Sequence, residues 1–127
     1  MLGRPNCGAG NSSNSPGSVG VYLLFQPDER RDERQLSVIS SKGTQAAFTG
    51  TRPDDYKGHL VGKDMVVAGN ILVGRETLEA MAAAFESTTG TLADRVMAAL
   101  EAGQNAGGDR RGKISAARPG TWASRGL

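Results

Sequence analysis

Leu78, Met81, Ala82 and Phe85 recur at i, i+3, i+4 and i+7, the spacing of one apolar stripe on an α-helix. Only Thr88-Thr89-Gly90 separates this stretch from a second helical one. There Thr91 stands as N-cap with Asp94 three residues on, a shortened capping box. So short a connection forces two antiparallel helices into a hairpin. The reading is a helix over about 76–87 and a second to about 102, with Gly103 as its C′ residue. Leu92, Val96 and Leu100 line one side, with Met97 beside them, and Val96 and Leu100 are expected to join Leu78 and Phe85 in a common core. Small alanines on both helices allow close approach.

A helical hairpin of this kind needs a second layer, and the preceding residues supply strands. Leu36, Val38 and Ser40 alternate with Ser37, Ile39 and Ser41, and 44–49 continues the pattern after Ser41-Lys42-Gly43. This predicts a β-hairpin with Gly43 at positive φ. Thr51 to Gly58 reads as a polar loop around Pro53. Met65 to Val73 reads as a strand buried on both faces, with a bulge or bend at Gly69-Asn70. Ile114 to Ala117 reads as the start of a last strand, stopped by Arg118-Pro119-Gly120. The fold class is α+β: a layered antiparallel sheet with a helical hairpin packed on it.

The 127 residues allow one domain at most. Residues 1–20 hold 14 Gly, Ser, Asn or Pro and read as a flexible segment. Val21-Tyr22-Leu23-Leu24-Phe25 is an apolar run without a decisive period, and the domain extends over 21–117. Residues 118–127 form an irregular basic tail. From Asp109 onward there are five Lys or Arg and one acid, a local charge of +4 within a net +2. Only Trp122 offers an aromatic there, so nucleic-acid binding is not expected. No apolar run is long enough for a membrane helix, and a cytoplasmic location is expected. Aromatics are 5% of the chain, a thin core supply that leaves room for a homo-oligomer.

Several pieces, in order, resemble one family. They are Arg31-Asp32-Glu33-Arg34-Gln35-Leu36, Ala46-Ala47-Phe48-Thr49-Gly50, Gly58-His59, Gly69-Asn70-Ile71-Leu72-Val73-Gly74 and Leu78-Glu79-Ala80-Met81-Ala82. The most specific are Ala99-Leu100-Glu101-Ala102-Gly103, Ala106-Gly107-Gly108-Asp109-Arg110-Arg111-Gly112-Lys113 and Ser115-Ala116-Ala117. Together they are similar to the middle of domain-of-unknown-function family ten-twenty-eight, in the N-terminal-nucleophile hydrolase superfamily. The resemblance implies stacked antiparallel sheets with helices outside. It also implies amide-bond hydrolysis by a terminal Thr, Ser or Cys whose own α-amine is the base. This sequence lacks the family's opening block and departs from it after Ala117. The expectation is therefore a partial domain, inactive alone.

Site chemistry is sparse. Cys7, the single thiol, forms no intrachain disulfide and reads as a bystander. No residue is fixed as catalytic. His59, the only histidine, is a candidate proton carrier in what reads as a polar loop. Asn70 is a candidate donor to an oxyanion, or the residue that takes a left-handed bend. Asp109, Arg110, Arg111 and Lys113 are candidate ligands for a carboxylate or phosphate, against the plainer reading that Asp109 pairs with an Arg. Asp54-Asp55 and the mixed charges of Asp28–Glu33 lack the His or Cys company of a transition-metal site. Neither metal nor cofactor is expected. A small anionic or amide ligand is the expected partner, and an anion-binding or assembly module without catalysis is the alternative function.

Overall fold

The computed structural model describes residues 26–52 and 55–113. The segment 1–20, the apolar run 21–25, the final strand at 114–117 and the basic tail lie outside them, as do Cys7 and Asp54.

Two antiparallel hairpins precede two helices. β1 (Gln35–Ile39) pairs with β2 (Gln45–Thr49), Leu36 opposite Phe48 and Val38 opposite Ala46. Gly43 closes the turn at φ +79°, the left-handed value that favours glycine. β3 (Tyr56–Gly62) pairs with β4 (Met65–Leu72). β2 contacts β3 and β4, so the two hairpins pack against each other. The helices are α1 (Arg75–Ser87) and α2 (Leu92–Asn105), and α1 contacts both β3 and β4. The chain is thus α+β, with a helical hairpin on layered antiparallel strands.

The core lies between α1 and the second hairpin. Met65, Val67, Leu78, Phe85 and Ala99 are buried, with Tyr56, Leu60, Leu72, Met81 and Ala82 packed around them. The stripe on α1 therefore faces inward as its spacing implies, Leu78 being 1% exposed. The capping box on α2 is complete. Thr91 Oγ1 accepts from Asp94 N at 3.2 Å, and Thr91 N donates to Asp94 Oδ2 at 2.9 Å.

Five expectations need correction. The polar loop to Gly58 is instead strand from Tyr56 onward, so His59 sits mid-strand opposite Ala68. Two glycines and a lysine hide the alternation there, and Asp64 at φ +59° turns the chain into β4. β4 is one strand whose burial alternates, with Met65 and Val67 inside and Asn70 exposed, so it is not buried on both faces. Its bulge lies where expected: Tyr56 opposes Leu72 but Gly58 opposes Gly69. The left-handed residue there is Ile71, at φ +55°, not Asn70. Lastly, α2 turns its small residues inward. Ala99 and Gly103 are buried, while Leu92, Val96, Met97 and Leu100 are exposed. Gly103 is no C′ residue, since α2 continues to Asn105. A Cβ on Gly103 would lie 2.6 Å from Met81 Cγ, so its missing side chain is what lets α2 lie on α1.

Candidate functional site

The two hairpins meet through polar side chains. Gln35 opens β1 and reaches across to the second hairpin. Its Nε2 lies 3.0 Å from Gly58 O, 3.0 Å from Gly69 O and 3.1 Å from Thr49 Oγ1. Gly58 and Gly69 are register partners beside the bulge, so the amide caps the point where the β3–β4 ladder shifts. Two amide hydrogens serve three acceptors, and the Gln35 Oε1 accepts from Asn70 Nδ2 at 3.2 Å.

Thr49, at the end of β2, continues the chain of bonds. Its Oγ1 lies 2.9 Å from His59 Nδ1. When Gln35 donates to Thr49, the hydroxyl is free to turn its proton toward the ring, and in that arrangement Nδ1 accepts and Nε2 carries the hydrogen. Burial lowers the His59 pKa from 6.5, which further favours the neutral ring. Among the described residues nothing bonds to Nε2 or to the Asn70 Oδ1. The structure thereby links His59 and Asn70, 11 positions apart in sequence, through Gln35 and Thr49. Reasoning from sequence missed these two as site residues. Their only signal was membership of the Arg31–Leu36 and Ala46–Gly50 motifs.

Two expected results arise from this geometry. Gln35→Leu leaves two strand carbonyls and the Thr49 hydroxyl short of a partner, and is expected to cost about 1–3 kcal/mol in urea unfolding. His59, for its part, makes stability depend on pH. The unfolded ring takes a proton near pH 6.5, before the folded ring does. Its contribution is therefore present above that pH and is lost as pH falls toward the folded value. A His59→Gln variant should show a flatter acid limb than wild type between about pH 7 and about pH 5.

The Asp109–Lys113 segment does something different. Val73 N donates to Gly108 O at 3.1 Å and Arg110 N donates to Ile71 O at 2.8 Å, so the loop pins the end of β4 on both sides of Leu72. It thereby holds Ile71 in a backbone conformation that a β-branched residue rarely adopts. Asp109 accepts from Arg111 Nε at 3.0 Å, Nη2 at 2.7 Å and N at 2.8 Å. These bonds hold its pKa down at about 2, the Arg111 side-chain bonds first and its backbone bond second. Arg110 Nη1 donates to Asp55 Oδ1 at 2.6 Å. Both guanidiniums are thus matched by carboxylates, and Lys113 is exposed. Among the described residues no group of three or more His, Cys, Asp and Glu could hold a metal ion. No described helix is long and apolar enough to cross a membrane.

The class that fold and site define is an α+β layered domain whose hairpins are joined by a Gln–Thr–His–Asn network. The chain belongs to the DUF1028 family, a family of unknown function, whose model matches residues 12–118. It is similar to the crystal structure of protein SPO2555 from Silicibacter pomeroyi, itself of that family, at 34% identity and a TM-score of 0.68. The match covers 74% of this chain and 43% of that one, so this chain spans less than half the length of its structural relative. No curated protein matches it.

Proposed function

We propose that the chain is part of an amidohydrolase of the N-terminal-nucleophile type, in which it supplies a wall that recognises an amide. The observation that carries this reading is the network at the hairpin junction. It leaves one donor, His59 Nε2–H, and one acceptor, Asn70 Oδ1, without partners among the described residues. An amide presents a carbonyl to the first and an N–H to the second. The Asp109–Lys113 loop supports an anion grip less well, because Arg110 and Arg111 are already paired with acids.

Recognition and cleavage are separate in this reading. The superfamily mechanism needs one residue to supply both nucleophile and free α-amine. Every described Ser and Thr, Thr49 included, has its amine in a peptide bond. The chain alone is therefore expected to bind amides without hydrolysing them. A panel of simple amides and amidated amino acids, run beside Cys7→Ala, tests this. No turnover is the expected result. Turnover abolished by Cys7→Ala would make Cys7 the nucleophile, and turnover that survives it would require a different mechanism altogether.

A further inference from the structure

Asn70 reaches the network because its strand is broken at the next residue. In an unbroken strand, residues two apart share a face. Asn70 and Leu72 do not. Asn70 Nδ2 donates to Gln35 Oε1 at 3.2 Å on the side of β1, whereas Leu72 packs against the core with Leu78 and Phe85. The switch occurs at the bulge, where Lys57 of β3 stands opposite both Asn70 and Ile71. Such an extra residue re-aims the side chains beside it. Ile71 makes the turn, at φ +55°.

An isoleucine does not take that backbone unaided, because its Cβ crowds the following carbonyl oxygen. Two bonds to the loop after α2 hold it there. Arg110 N donates to Ile71 O at 2.8 Å, and Val73 N donates to Gly108 O at 3.1 Å. Arg110 also grips the other strand at the bulge, its Nη1 donating to Asp55 Oδ1 at 2.6 Å, one residue before β3 begins. Gly107 lets the loop lie this close. Its φ is +123°, and a Cβ there would lie 3.0 Å from Val73 Cβ.

We infer that Ile71, clamped left-handed by Gly108 and Arg110, is a positioning residue that aims the Asn70 amide at Gln35 and so sets where the recognition pair's acceptor stands. Its purpose, though not its geometry, rests on the amide reading proposed for the network. Nuclear magnetic resonance of the ligand-free full chain tests the geometry. The Asn70 side-chain NH2 is expected to exchange slowly with water and to show contacts to the Gln35 side chain. Gly107→Ala strains the loop and strikes Val73, so Ile71 relaxes and the contact should be lost. Glycine takes the left-handed backbone without penalty. Adding Ile71→Gly to Gly107→Ala should therefore restore the contact, a rescue that a merely structural role for the loop would not give. Ile71→Gly alone, which leaves the loop intact, should slow the Asn70 exchange further. Unchanged or faster exchange in Ile71→Gly would overturn the proposal. A contact that survives Gly107→Ala, or is not restored in the double variant, would overturn it too. Asparagine amide then separates the two ideas. A wild-type His59 Nε2 signal that ignores the amide, with the rescue as expected, would sink the amide reading and leave the positioning role standing. An equal, saturating response in wild type and in Gly107→Ala would sink the positioning role and leave the amide reading.

Discussion

Phe85→Ala is expected to cost about 3–5 kcal/mol of unfolding free energy. Phe85 is 8% exposed and packs with Leu78, Met65, Val67 and Ala99, joining α1 to the strands and to α2. Its ring also carries the Arg95 guanidinium 4.0 Å from the centroid. That contact contributes a further increment beyond area burial. Truncation therefore opens a cavity between the helices and the strands and removes the ring beneath the Arg95 guanidinium. Denaturant unfolding measures it. A loss below about 1 kcal/mol would place the α1 stripe at the surface, against the packing described above.

Gly50→Ala is the second large effect, expected near 3 kcal/mol because the clash is with backbone. A Cβ at Gly50 would lie 2.3 Å from Asp32 O and 2.6 Å from Arg31 O. The single 3-10 turn at Arg31–Glu33 is held over Gly50 by two bonds, Gly50 N to Arg34 O at 2.8 Å and Arg52 N to Asp32 O at 2.7 Å. Neither element can yield without losing them. Gly112→Ala is the control. Gly112 has φ +91° and nothing within 4 Å of its would-be Cβ, so only conformational strain of about 1 kcal/mol is expected. Equal effects in thermal or denaturant unfolding would contradict the steric account of Gly50.

What the sequence makes legible is local. The β1–β2 hairpin, the stripe on α1 and the Thr91–Asp94 capping box each depend on residues within a few positions, and each stands in the structure as its pattern implies. β3 escapes because Lys57, Gly58 and His59 break the alternation, and the pairing that makes it a strand comes from β4. The face of α2 escapes for another reason. Periodicity finds a stripe, but which stripe is buried depends on how closely α1 approaches. Gly103 and Ala99 set that approach at the expense of Leu92 and Leu100. The site is the least legible part. Gln35, Thr49, His59 and Asn70 lie on four different strands, and only the packing of two hairpins brings them into one network.

The central claim is that this network presents an amide-recognising pair, and the His59 ring reports on it. The measurement is the nitrogen NMR spectrum of the His59 imidazole, the only histidine signal in the protein, during titration with asparagine amide. The account predicts a neutral Nε2–H tautomer at neutral pH. It further predicts an Nε2 shift that saturates with the amide, is absent with the matching free acid, and is lost in Asn70→Ala. A protonated or Nδ1–H ring, or a ring indifferent to the amide at saturating concentration, would contradict it.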